Sequence, residues 1–172
     1  EFRQLADDAF AIAPGSESQH RQLSAQLTKA GFTPDHFVFL WACEPSGPEI
    51  ARPPKSHGFS IGVRSLYQIA RIYFADQPQT LWVATCTADF AAAGPLLGHA
   101  MVPVFAHGLA ADYPSLSTRT IEIATTNQAS RRLATTVFND ILRGGEATDA
   151  RYTDDGCHLR DIRRASRQRL LP

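Results

Sequence analysis

Thr80–Thr87 (Thr-Leu-Trp-Val-Ala-Thr-Cys-Thr) is a short apolar run with β-branched and aromatic residues, preceded by Pro78 and followed by Ala88-Asp89. A run this short, apolar on both faces, predicts a strand buried between two layers of helix. Helical patterns flank it, Ser60–Ala75 before and Pro95–Ala111 after. A second run of the same kind, His36–Ala42 (His-Phe-Val-Phe-Leu-Trp-Ala), lies upstream. Two buried strands joined through a helix make a βαβ unit, so they should pair in parallel with a right-handed crossover.

The remaining pattern extends this unit. Asp8–Pro14 predicts a first short strand, turned by Gly15-Ser16, with Ser16 or Ser18 capping a helix that runs to about Ala30. Leu23, Leu27 and Ala30 share one face of that helix, Gly31 ends it, and Pro34 prevents its continuation. Cys43–His57 holds four prolines, so it predicts a loop, taken as a surface insertion. Phe59–Phe74 predicts a helix with Ile61, Leu66, Ile69, Ala70 and Tyr73 turned inward. Ala91–Ala111 predicts another, with Leu96, Leu97, Met101 and Val104 marking its face and Pro103 kinking or splitting it. Leu116–Thr125 alternates and predicts a strand nearer a sheet edge. Asn127–Leu142 predicts a helix capped by Asn127 and closed by Gly144-Gly145. Asp149–Thr153 and Cys157–Arg163 flank Asp154-Asp155-Gly156, a strong hairpin signal. The fold class is therefore α/β: a Rossmann-like, doubly wound, mainly parallel sheet flanked by helices, with a C-terminal β-hairpin. No internal repeat or low-complexity segment interrupts it.

At 172 residues the chain is one domain, or one domain with an appendage, and long enough to bury a core. Its formal net charge is zero, without the basic surplus of a nucleic-acid binder. Arg160, Arg163, Arg164, Arg167 and Arg169 gather near the C-terminus, where they read as a solvated face or linker. No stretch approaches the ~18 apolar residues of a membrane span, and the N-terminus has no signal-peptide pattern. The absence of an initiator Met suggests a piece of a longer protein. The three cysteines, Cys43, Cys86 and Cys157, are widely spaced and fit a reducing cytoplasm better than a disulfide framework.

Candidate chemistry is sparse. A dinucleotide-binding turn needs glycines so that the backbone can approach a pyrophosphate. Here Ala13-Pro14-Gly15-Ser16-Glu17-Ser18 offers only Gly15, and Glu17 brings negative charge. A short-chain reductase needs a Tyr with a Lys four residues on, which lowers the tyrosine pKa. The only lysines, Lys29 and Lys55, are not spaced for this, and Tyr67, followed by Arg71, reads as packing. Gly58-Phe59-Ser60-Ile61-Gly62 matches a nucleophile-elbow pattern, but a proline-rich loop precedes it where a strand should, and Ser60 serves as a helix cap. As a nucleophile, Ser60 would need His107 or His158 as base and Asp112 or Asp155 as orienter. His99 and His107 lie eight apart without a completing ligand, so no metal site is assigned. Cys157-His158 sits in a hairpin, where neighbours face opposite ways.

The order of segments resembles the structural, non-catalytic N-terminal subdomain of ketoreductase domains in modular polyketide synthases. The stretches that carry it are His36–Ala42 ending in Leu-Trp-Ala, the helix Gly62-Val63-Arg64-Ser65-Leu66-Tyr67-Gln68-Ile69-Ala70, and the strand Thr80-Leu81-Trp82-Val83-Ala84-Thr85. Gly98 to Pro114, read through Phe105–Pro114, and Asp155-Gly156-Cys157-His158-Leu159-Arg160 complete it. Together they cover about residues 9–165. The Cys43–His57 loop is longer than that pattern, and Asp112-Tyr113-Pro114 replaces its acidic–His–Pro.

The resemblance implies a truncated Rossmann-like fold over residues 1–163 and a connector over 164–172. It implies no catalytic, cofactor-binding or metal-binding residue in this chain. NADPH is expected in a catalytic subdomain of the same polypeptide, which reduces a β-ketoacyl group on an acyl carrier protein. Other synthase domains are expected as further partners, with no nucleic acid and no membrane, in the cytoplasm. Two alternatives remain: a small serine hydrolase using Ser60, or a stand-alone pseudo-ketoreductase interaction module.

Overall fold

The computed structural model describes residues 1–43, 60–74, 77–86, 97–124, 131–144, 149–153 and 155–159, with the side chains of 60, 97–100 and 131–133 outside that description. The proline-rich segment from residue 44, the proposed cap Asn127 and the connector 164–172 therefore lie outside the described residues.

The N-terminus departs from expectation. Instead of one strand over Asp8–Pro14, β1 (Arg3–Ala6) and β2 (Ala9–Ala11) form a small antiparallel pair of their own. Asp7-Asp8 makes the turn between them, a residue type suited to tight turns. The three residues of β2 pair with β1, so this strand does not join the main sheet. Helix α1 (Glu17–Lys29) follows with Ser16 as its N-cap. The Ser16 hydroxyl does not cap the helix; it meets Ser18 Oγ at 3.2 Å. Gly31 ends the segment at φ 73°, a left-handed conformation that glycine adopts without strain.

The main sheet takes β3 (His36–Phe39), β4 (Gln79–Cys86), β5 (Leu116–Ile123), β6 (Asp149–Thr153) and β7 (Gly156–Leu159) in that order. The first four are parallel and β7 returns antiparallel. Strand β3 is shorter than expected: after Leu40 the chain closes into a 3₁₀ turn, Trp41–Cys43. The predicted hairpin forms, with Gly156 at φ 138°. A π-helical turn, Ser60–Arg64, leads into α2 (Ser65–Tyr73), and α3 (Leu97–Asp112) links β4 to β5. α4 (Arg131–Leu142) links β5 to β6 and closes at Gly144, φ 66°.

Strand β5 is central, not near an edge, because β4 and β6 flank it. Its polar residues misled the expectation, and three of them have partners. Thr118 and Thr120 hydrogen-bond to side chains, and the Arg119 guanidinium lies 5.0 Å from the centroid of the Trp82 ring.

Two cores lie on opposite faces of the sheet, as expected for a strand like β4 that is apolar on both. On one face Leu66 and Ala70 of α2 and Val102, Ala106 and Leu109 of α3 pack on Phe39, Leu81, Val83 and Leu116. On the other, Val137 and Ile141 of α4 pack with Trp82, Ala84, Ile121 and Tyr152. Burying each of the Leu, Val and Ile side chains among these contributes about 1.5–3 kcal/mol.

This placement fixes the winding. The strands advance in one direction without the reversal of a doubly wound sheet. Successive crossovers of one hand would put every helix on one face, yet α4 lies opposite α2 and α3. The β5–α4–β6 crossover must therefore have the opposite hand to the two before it. Since such units are almost always right-handed, it is the left-handed one.

In α3 the inward face differs from the periodicity reading. Val102, Ala106 and Leu109 are buried, while Met101 is 44% and Val104 74% exposed. Pro103 sits within a single helix that is not split. Ile61 in the π-helical turn and Tyr73 in α2 are only partly buried, and Tyr67, read as packing, is 46% exposed with Arg71 over its ring at 5.5 Å.

Candidate functional site

The first βα turn is where a Rossmann fold would hold a dinucleotide. Ser16 N–H donates to Ala13 O (2.9 Å), and Ala13 N–H donates to Gln19 Oε1 (2.7 Å). Glu17 lies in the first turn of α1, hydrogen-bonded to Arg21 at 2.8 Å and to Arg71 at 3.4 Å. The hydrogen bond from Arg21, then the Arg71 charge, hold its carboxyl below the usual range. The preceding strand lies outside the parallel sheet, so the turn does not follow a strand of that sheet, as a dinucleotide-binding turn does. These residues do not fit a dinucleotide phosphate.

His20 in the same helix is 1% exposed. Its Nε2 lies 2.8 Å from Pro14 O. A carbonyl only accepts, so Nε2 carries the proton and Nδ1 is bare, with no partner among the described residues. Trp41 and Tyr73 meet the ring edge-on, and Tyr73 Oη donates to His20 O at 3.0 Å. Burial raises the Tyr73 hydroxyl to about 12. Burial also pushes the His20 pKa below its ordinary 6.5, with the Pro14 hydrogen bond acting the other way. Protonation would leave a buried Nδ1–H without an acceptor. The unfolded state therefore binds the proton more readily, and His20's contribution, complete above about pH 6.5, is lost as pH falls. Urea midpoints at pH 7.5 and 5.5 should show a larger acid loss for the native chain than for His20→Gln. Equal losses would place the acid sensitivity elsewhere.

The described candidates for a serine-hydrolase constellation stand on separate elements, and the Ser60 side chain lies outside the described residues. Ser60 opens the turn before α2, and the far end of α2 meets the start of β4, where Gln79 Nε2 donates to Tyr73 O at 3.0 Å. Ser60 thus stands toward the C-terminal ends of the strands. His107 is ten residues along α3, about 15 Å down its axis from that end, beside Thr118 near the start of β5. His158 is on β7, three strands beyond β4, about 14 Å away. Its Nε2 lies 3.1 Å from Thr153 Oγ1. Asp112 and Asp155 are exposed, at the end of α3 and in the hairpin turn.

The structure instead brings together a cluster that sequence reasoning missed. His107 Nε2 is 3.2 Å from Asp149 Oδ1, and His107 Nδ1 is 3.3 Å from Thr118 Oγ1. Thr120 Oγ1 donates to the same Asp149 oxygen. The order Thr–His–Asp imitates a nucleophilic relay, but Thr118 is only 7% exposed and the cluster is at the N-terminal ends of the strands. It braces α3 to β5 and β6. Only the register, which sets Asp149 beside Thr120, reveals it. Likewise Tyr152 Oη donates to Asp140 Oδ2 at 2.6 Å, and burial followed by this bond pushes the phenol upward. No group of three metal-ligating side chains occurs among the described residues. None of their helices is long and apolar enough to cross a membrane.

What the fold defines is a Rossmann-like α/β domain whose first two strands lie outside the main sheet. The chain belongs to the beta-ketoacyl synthase-like, N-terminal family, whose model matches residues 1–140. This agrees with the resemblance to the N-terminal subdomain of a synthase ketoreductase. No curated protein matches the sequence. Among solved structures, the chain is similar to part of a keto acid-selecting NRPS module containing adenylation, ketoreductase and pseudo Asub domains. The TM-score is 0.75 at 15% identity, over 92% of this chain and 14% of that one. It is also similar to a short-chain dehydrogenase from Rhodopseudomonas palustris, with TM-score 0.56 at 12% identity over 83% of this chain and 73% of that one. The chain thus spans about one seventh of the multidomain protein it matches.

Proposed function

We propose that this chain is the non-catalytic scaffold half of a synthase ketoreductase. Its partner would be a catalytic half of the same polypeptide that binds NADPH and reduces a β-ketoacyl group on an acyl carrier protein. The observation that carries this reading is the outward face of α3. Met101 and Val104 are apolar and exposed there. Helices α2 and α3 lie on one face of the sheet, so Tyr67 adds to the same outer surface. An outward surface with an apolar ridge suits a permanent neighbour. A first turn that does not fit a dinucleotide phosphate suits a domain whose chemistry lies elsewhere. The NRPS module supports the setting: a fold of this type occurs there within a chain that also holds a ketoreductase.

The test is to co-express the chain with the polypeptide that follows it in its parent gene. NADPH oxidation by a β-ketoacyl thioester and co-purification are then measured. Both should require the two parts together. Val104→Asp should weaken association at least tenfold while shifting the chain's own unfolding free energy by under about 0.5 kcal/mol, since it changes an exposed position. Reduction by the chain alone, or association indifferent to Val104→Asp, would refute the reading.

A further inference from the structure

Cys43 and Cys86 stand at the exits of two adjacent parallel strands. Cys43 closes the 3₁₀ turn after β3, and Cys86 is the last residue of β4. That turn packs against β4. Cys43 also packs against the core around Trp82 and Tyr152, and its thiol is hydrogen-bonded to the Cys86 side chain. Neither sulfur is in a disulfide, and both residues are half-buried. By alternation along β4, Cys86 lies on the same face as Trp82 and Ala84, the face against which Cys43 packs. Two cysteines from distant parts of the sequence therefore meet on one face of the sheet.

We propose that Cys43 and Cys86 form a redox-active dithiol, closed by hydroperoxides into a disulfide that pins the exit of β3 to the exit of β4. The hydrogen bond to Cys86, then burial, hold the proton on Cys43 far above the usual thiol range. In the step we assign, Cys86 attacks as its thiolate and Cys43 resolves. Its thiolate takes one oxygen of hydrogen peroxide, the O–O bond breaks, and hydroxide leaves to combine with the proton Cys86 released. The Cys43 sulfur then attacks the sulfenic sulfur. The S–O bond breaks, and the departing hydroxide takes the Cys43 proton. Two thiols and one peroxide become one disulfide and two waters, with two electrons passing to the peroxide. The bond would tie two strand ends at the C-terminal edge of the sheet, the edge where α/β folds place their loops and ligands. This inference does not depend on the partner reading above.

The test treats the native chain and Cys157→Ser with hydrogen peroxide; the variant removes the exposed third thiol, which could join two chains. Remaining thiols are alkylated after unfolding, and the non-reduced digest is examined by mass spectrometry. The expected product in both proteins is one cross-linked peptide pair joining Cys43 to Cys86, two hydrogens lighter than the separate peptides. It should raise Tm by about 5–10 °C and revert with dithiothreitol. Oxidation confined to Cys157 would overturn the proposal, as would higher oxides on Cys43 or Cys86 without a cross-link, or both thiols remaining alkylatable. A cross-link that lowers Tm would also overturn it, because the sulfurs would then meet only by distorting the sheet.

Discussion

Trp82→Ala should lower the unfolding free energy by about 3–5 kcal/mol, read from urea denaturation with the slope unchanged. Trp82 is only 5% exposed and lies in β4, with strands on both sides. Its ring packs with Ala84, Ile121, Val137, Ile141 and Tyr152, and the Arg119 guanidinium covers it. Truncation would open a cavity that the rigid sheet cannot close, and it would remove the surface on which Arg119 rests. Trp82→Phe retains most of the buried area and should lose less than half as much. A loss under about 1 kcal/mol for Trp82→Ala would show that α4 does not seal this face.

Leu66→Ala should lower stability by about 2–5 kcal/mol through the other core. Leu66 is fully buried in α2, in the same core as Leu81, Val83 and Val102. The two substitutions lie on opposite faces of one sheet and share no packing partner. Their effects should therefore add to within about 0.5 kcal/mol in the double variant. A larger departure would mean that the faces are coupled through the backbone of β4. Both measurements refer to the isolated chain, so they test the fold independently of any partner.

Much of this architecture was legible in the sequence because it rests on short-range patterns. Leu81, Trp82, Val83 and Ala84 are apolar without alternation, which only a strand covered on both faces can satisfy. Gly31, Gly144 and the Asp155-Gly156 turn mark chain reversals by local backbone preference. The short supply of glycines in the first βα turn, and the lack of a Tyr–Lys spacing, could likewise be read from residue identity alone.

Other features depended on partners that local patterns do not name. Nearly every side of α3 is apolar, so periodicity could not choose between Val102, Ala106, Leu109 and Met101, Val104. The sheet chose, burying Val102, Ala106 and Leu109 against Leu81, Val83 and Leu116. Strand β5 looked like an edge because Ser117, Thr118, Arg119 and Thr120 are polar. It is central because Trp82, His107 and Asp149, from three other elements, meet Arg119, Thr118 and Thr120. The Asp8–Pro14 strand failed because three residues of β2 found a nearer partner in β1.

The sequence by itself determined a mainly parallel α/β sheet, its hairpin end and the poverty of its first turn in phosphate-binding groups, since each follows from side-chain polarity and backbone freedom within a few residues. Only the tertiary structure decided which helix face turns outward, that α4 crosses with the opposite hand, and that Cys43 meets Cys86. Those outcomes depend on contacts between segments far apart in the chain, where packing and register select among arrangements that local chemistry leaves equal.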